Sequence, residues 1–308
     1  MSKERINHDG LFKELLNNFF EEFMILFFPE ACEEIDFNHT VFLSQELIRD
    51  IFKGEKKVVD LLIETKLKGK DGFILVHIES QSYEQIDFNE RMFYYFTRLY
   101  DEHRKQILPI AIFGYDKLKN VPNTFSIGFP FLEVLNFQFL KVELKSQNWR
   151  EYLKQDNPVA AALLSKMGYS DEERVQVKKE FLRMLVRLEL DPVRTELIAG
   201  FFETYLKLTS DEEKQLYDEI KSLGREEEEK VMQITTSWHE KGREEGVKKG
   251  IEVGKEEGIK EGIKVGKKEG KKEALIEVAQ SMLKDGYTVE QIERLTKLSK
   301  ETIKNLIH

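Results

Sequence analysis

Two apolar runs separated by five turn-forming residues constrain this chain more than any other feature. Lys57–Leu67 (KVVDLLIETKL) and Phe73–Glu79 (FILVHIE) are β-branched and aliphatic, and Lys68–Gly72 (KGKDG) between them holds two glycines. The pattern predicts a β-hairpin. Asp60 lies within the first run, and Glu79 and Gln81 lie at the end of the second. Carboxylates among such neighbours are costly unless paired, hydrogen-bonded or bound to a cation. A turn spread over Lys68–Gly72 sets Asp60 opposite Glu79, and two carboxylates at adjacent strand ends can share a hard cation. Mg²⁺ suits such a pair, because it takes one or two protein carboxylates and leaves its other positions to water and phosphate.

The surroundings of the hairpin predict an α/β domain with a mixed sheet. Leu11, Phe12, Leu15, Leu16, Phe19, Phe20, Phe23 and Phe27 recur at helical spacing, and Pro29 is expected to end that helix. Asp87–Arg104 repeats apolar residues at the same period, Ile107–Phe113 (ILPIAIF) reads as a buried strand, and Leu132–Leu144 adds another. From Trp149 to Leu223 strand signals give way to four amphipathic helical segments with caps at Ser170, Asp191 and Ser210, which predict a bundle packed on the α/β domain.

Further on, eight glycines, from Gly242 to Gly270, stand four apart without a break. Eight interior glycines cost a lone helix about 8 kcal/mol relative to alanine. The repeat is therefore either a helix that forms on association through its small-residue stripe or a flexible charged linker. Ala274–His308 reads as three short helices, with a Thr288/Gln291 capping box, Gly286 at a helix end and Ser299 as a further cap. The arrangement resembles a helix-turn-helix, but its five basic and five acidic residues equally suit a plain docking unit. The expected division is 1–145 for the α/β domain, 146–225 for the bundle, 226–273 for the repeat and 274–308 for the small helical unit.

Composition narrows the functional classes. The net charge is −9, and residues 241–273 with 11 basic and 8 acidic side chains leave −12 for the remainder, so any nucleic-acid contact has to be local. The longest uncharged run, Asn120–Leu132, has 13 residues, short of the roughly 20 that a membrane-spanning helix needs. One cysteine, Cys32, excludes a disulfide framework within the chain. With no export signal in view, a cytoplasmic location is expected. The sequence has no nucleophile elbow, HExxH zinc motif, phosphate loop or dinucleotide fingerprint.

Several phrases together carry a family resemblance. His8-Asp9-Gly10-Leu11-Phe12-Lys13-Glu14-Leu15-Leu16, Phe42-Leu43-Ser44-Gln45-Glu46-Leu47, Val59-Asp60-Leu61-Leu62, His77-Ile78-Glu79-Ser80-Gln81 and Arg91-Met92-Phe93-Tyr94-Tyr95 are similar to the recombination-promoting nuclease and YhgA-like transposase family. That family falls within the PD-(D/E)XK nuclease superfamily, and the glycine-tetrad tail is similar to it as well. The resemblance implies a restriction-endonuclease-like core, a Mg²⁺-dependent DNA endonuclease linked to recombination or mobile elements, and DNA as partner. Asp60 and Glu79 would then hold the metal, with the backbone carbonyl of Ser80 as a third ligand. Gln81 stands where the wider superfamily has lysine and can only donate and accept hydrogen bonds. Lys13 and Lys66 are candidates for the missing charge, with Lys13 on the first helix able to approach the site. Glu46 is a candidate extra acid. The tail is expected to make the protein a homo-oligomer through Gly242–Gly270.

Other readings compete with this one. The fold can be a catalytically silent module that binds DNA or protein, with Asp60 and Glu79 a structural polar pair. Glu64-Thr65-Lys66 spells an alternative E-x-K motif on the same strand as Asp60. His77 reads as a neutral core or supporting histidine, His8 as part of a helix cap, and Tyr83, Arg91 and Tyr95 as either phosphate-binding or packing residues.

Overall fold

The computed structural model describes residues 8–52, 59–79, 88–115 and 121–306, with the side chains at 9, 50, 79 and 237–249 outside that description. The chain forms two compact units, 1–234 and 235–308.

The first unit opens with three helices, α1 (His8–Asn18), α2 (Phe20–Phe27) and α3 (Pro29–Cys32). The single helix expected up to Pro29 is interrupted at Phe19, whose φ of −139° leaves the helical region, and Pro29 starts a short helix in place of ending the long one. There follow β1 (Ile35–Phe42), α4 (Gln45–Ile51), β2 (Leu61–Leu67), β3 (Lys70–Glu79), α5 (Phe88–His103), β4 (Gln106–Phe113), β5 (Thr124–Phe129), β6 (Leu132–Gln138) and β7 (Leu140–Glu143). The main sheet has the order β1-β2-β3-β4-β7, and β5 and β6 form a separate two-stranded sheet. Strands β1, β2 and β3 run antiparallel, whereas β3 pairs parallel with β4, and β4 with β7. The domain is α/β with a mixed sheet, as the order of periodicities predicts.

Central β3 is apolar along most of its length because both faces are covered. On one face Leu62, Phe73, Leu75, Ala111 and Phe113 share a core with Ile48 and Phe52 of the α4 segment and with Phe88, Met92, Tyr95 and Leu99 of α5. On the other, Ile63, Ile74, Val76, Ile78, Ile110 and Ile112 are buried, and α1 approaches β3.

The β2–β3 turn is tighter than the sequence suggests. Lys68 and Gly69 both have positive φ, 50° and 76°, as a two-residue hairpin turn of the kind that matches strand twist requires. Leu67 therefore pairs with Lys70 and Leu61 with Val76. Carried one residue further, this register sets Asp60 level with His77, two residues short of the expected Glu79. Of the two glycines in KGKDG, Gly69 takes the turn, while Gly72 lies inside β3, where a Cβ would come within 3.0 Å of the Gln106 carbonyl oxygen.

Beyond the sheet lie α6 (Pro158–Leu163), α7 (Arg174–Leu188), α8 (Pro192–Tyr205) and α9 (Ser210–Lys221), the four helices that the capping signals predict. Asp191 caps α8. The cap of α9 is Thr209, one residue before the expected Ser210, because Glu212 reaches back to complete a box with it. The bundle shares its interior with the first helices. Phe12 of α1 packs edge-on against Phe201 of α8, with ring centroids 5.0 Å apart, and the Asn157 side chain donates to the Glu22 carbonyl of α2 at 2.8 Å.

Helix α10 (Arg225–Lys284) contains the glycine repeat, followed by α11 (Val289–Thr296) and α12 (Lys300–Lys304). At each of Gly250, Gly254, Gly258, Gly262, Gly266 and Gly270 an added Cβ would meet nothing within 4 Å. In the second unit Ala279, Ile292 and Ile303 form a small core, and Thr288 with Gln291 makes the expected capping box.

Two outcomes follow from this packing. Because α1 and α8 share one core, Phe12→Ala is expected to cost the whole 1–234 unit about 3–5 kcal/mol, read as a lower denaturant midpoint in one cooperative transition, not as loss of a separable bundle. Alanine at Gly258, Gly262 and Gly266 meets open space and is expected to stabilise α10 by about 1 kcal/mol per site, read as higher and more heat-resistant ellipticity at 222 nm in the full chain.

Candidate active site around Asp60

Asp60 stands one residue before β2, where the chain has not yet entered the sheet ladder. Its carboxylate can therefore take up backbone and side-chain partners at once. Oδ2 accepts a hydrogen bond from the Ile78 backbone N–H at 2.8 Å. The same oxygen lies 2.9 Å from Nδ1 of His77, although the ring N–H is poorly aimed along that line. The contact is electrostatic more than a directed hydrogen bond. Oδ1 faces Nζ of Lys13, which reaches over from α1 to 3.3 Å. The Asp60 backbone is held too, because its carbonyl accepts from the Gln45 side chain at 2.9 Å. Gln45 opens α4 directly behind the Ser44 cap, so helix and carboxylate are tied together.

His77 is a supporting residue of this site. It is buried, stacked on Phe88 and edge-on to Tyr95, with ring centroids 5.5 and 5.8 Å away. Its Nε2 lies 3.1 Å from the Arg91 guanidinium, which also sits over the Phe88 ring. One face of α5 thus clamps the ring with Nδ1 beside Asp60.

Burial of Asp60 acts to raise its pKa. The His77 contact, the Ile78 N–H and the Lys13 ammonium outweigh that cost and hold the carboxyl below its ordinary value. Asp60 is therefore ionised at neutral pH, a buried hard oxygen donor with one oxygen locked and the other turned toward a positive charge. That donor chemistry fits a hard divalent cation. Among the described residues no group of three His, Cys, Asp or Glu side chains stands together as a ready-made metal cage.

Other sequence candidates separate from Asp60. Lys66 is six residues further along β2, roughly 20 Å at 3.3 Å per residue, and Glu64 pairs with Lys105 at 2.8 Å. Glu46 is exposed in the first turn of α4. His8 is the first residue of α1, and its Nδ1 meets the Tyr205 hydroxyl at 3.0 Å. Tyr95 is buried in the core beneath His77. Glu79 ends β3, paired with Phe113 of β4. Its side chain, with Ser80, Gln81 and Tyr83, lies outside the described residues. Gln45 has no role assigned from the sequence, although it stands in the Phe42–Leu47 phrase that carries the family resemblance.

Residues 6–126 match the family described as "Putative transposase, YhgA-like". That segment holds α1, the Asp60 hairpin, α5 and β4, and over it the match agrees with the YhgA-like part of the resemblance read from the motifs. No curated protein and no solved structure matches the chain closely enough to add to this. No helix among the described residues is long and apolar enough to cross a membrane.

The depressed pKa of Asp60 fixes the sign of a pH effect. The stability it contributes is whole above the unfolded carboxyl value of about 3.9 and is lost as pH falls through its lower folded value. Asp60→Asn is accordingly expected to lower the urea midpoint at pH 7, with the gap from wild type closing in acid below about pH 4.

Proposed function

We propose that the protein is a divalent-metal-dependent DNA endonuclease connected with recombination or mobile elements. The observation that carries this reading is the buried, ionised Asp60 facing the Lys13 ammonium, within the segment that matches the transposase family. Asp60 and Glu79, with the Ser80 carbonyl, would hold a hard cation such as Mg²⁺. Such an ion polarises a phosphate and makes a bound water acidic.

The chain's own residues have distinct tasks. His77, the Ile78 N–H and Gln45 keep Asp60 in one orientation, which matters because a ligand displaced by an ångström loses most of its effect. Lys13 supplies the positive charge that Gln81 cannot. Its flexible four-carbon stem lets the ammonium turn from Oδ1 to a non-bridging oxygen of the scissile phosphate, where charge accumulates in the transition state. Gln81 orients the attacking water by hydrogen bonding. The overall charge of −9 restricts DNA contact to local cationic groups such as Lys13 and Arg91. Self-association through the Gly242–Gly270 face of α10 provides the two copies that cutting both strands of a duplex calls for.

The Lys13–Asp60 pair also suits a second reading, a catalytically silent module in which that ion pair only stabilises the fold. Plasmid nicking and linearisation by the purified full chain, with EDTA, Mg²⁺, Mn²⁺ or Ca²⁺, separates the two. The endonuclease reading expects cleavage that needs metal and disappears in Asp60→Ala and Glu79→Ala, with Lys13→Ala slower by about 10²–10³-fold. Folded wild-type protein that leaves the plasmid intact with every ion would establish the silent module.

A further inference from the structure

The separate β5–β6 hairpin has a well-anchored base and a bare tip. At the base, Phe125 and Phe137 pack on Phe93 and Phe96 of α5, with ring centroids 5.2–5.5 Å apart. The Asn89 side chain, in the first turn of α5, donates to the Thr124 carbonyl at 2.8 Å. Toward the tip, the pairing shifts by one residue between Ile127 and Gly128. Such a bulge bends the hairpin and increases its local twist. A Cβ at Gly128 would meet the Leu132 carbonyl oxygen at 3.0 Å, so the close approach suits glycine. Past the bulge the apolar residues leave the core. Phe131 is 85% exposed and Phe129 61%, with Leu132 and Val134 both above half. The two phenylalanine rings stack on each other at 5.6 Å, already arranged as one surface.

We propose that this tip is a self-association surface, which packs against the same tip of a second copy of the chain. Charge argues for that partner. From Asn120 to Leu140 the sole charged residue is Glu133. A surface that seats on DNA neutralises phosphates with Lys or Arg, and one that seats on an anionic bilayer sets basic residues around its aromatics. The tip supplies neither, whereas an apolar surface whose one charged residue is Glu133 can seat on its own copy. Area argues the same way. The exposed side chains from Ile127 to Val134 offer on the order of 500 Å² of apolar surface, near the upper end of what a monomer leaves bare. Two tips together would bury roughly 1,000 Å², the lower bound of a specific interface. In addition, among the described residues β5 and β6 pair with each other alone, and the outer edge of each can hydrogen-bond a further strand.

Two experiments on the purified full chain test the proposal independently of any nuclease activity, and the second, which maps the joined residues, does so independently of the glycine tail as well. Sedimentation velocity over a concentration series is expected to show self-association at least about tenfold weaker in the double variant Phe129→Asp/Phe131→Asp, with unchanged far-UV circular dichroism. Identical association in variant and wild type would overturn the proposal. In the second, Phe131 is replaced by a benzophenone-bearing phenylalanine and irradiated alone, with a DNA duplex, and with phosphatidylserine vesicles. Covalent dimers joined through residues 124–138 of the second copy in all three samples are the expected result. Cross-linking to DNA or lipid in place of the second copy, or dimers joined elsewhere, would overturn it.

Discussion

A carboxylate among aliphatic strands has to be held by something, and in this protein the hold on Asp60 organises the domain around it. The Ile78 N–H fixes one oxygen, His77 adds an electrostatic contact to it, and Lys13 balances the other. Each partner arrives on a different element. Lys13 comes from α1, His77 and Ile78 from β3, and Gln45 brings α4 to the Asp60 carbonyl. Removing any one leaves a buried polar group short of a partner, which costs more than the contact contributes when whole. The network therefore fixes how the opening helix, the hairpin and α4 meet, and the apolar core fills the space that this arrangement leaves.

What makes the arrangement possible is the length of one turn. With Lys68 and Gly69 both at positive φ, β3 follows β2 after two residues and the ladder brings His77 level with Asp60. A one-residue change of register would turn every side chain of β3 to the opposite face. Leu75 would leave the α5 core and His77 would lose Phe88 and Tyr95. The site and the core thus share one determinant.

Much of the architecture is readable from the residues, and the failures have identifiable causes. The bundle helices are legible because each pairs an apolar stripe with a strong cap, Asp191 among them. The hairpin is legible from its β-branched runs, but its register is not, since KGKDG contains two glycines and the sequence does not say which one turns. The break at Phe19 is hidden because Phe19, Phe20 and Phe23 continue the apolar stripe without a gap. Strand β1 alternates polar and apolar residues only loosely, and β5 lies between two prolines, so neither stands out from loop composition. At the site, Asp60 and Lys13 were visible as chemistry, and the structure sets them 3.3 Å apart. The contact of Gln45 with a main-chain carbonyl leaves no trace in a sequence, because any helix-opening polar residue looks the same.

Helix α5 is where the surface hairpin and the buried site of the domain meet. Its first turn carries Asn89, which anchors the β5–β6 hairpin, and two residues later Arg91, which braces His77. A single turn of helix thus holds both the root of a surface hairpin and the brace of the imidazole that steadies a buried carboxylate, so a break in that turn would loosen both at once.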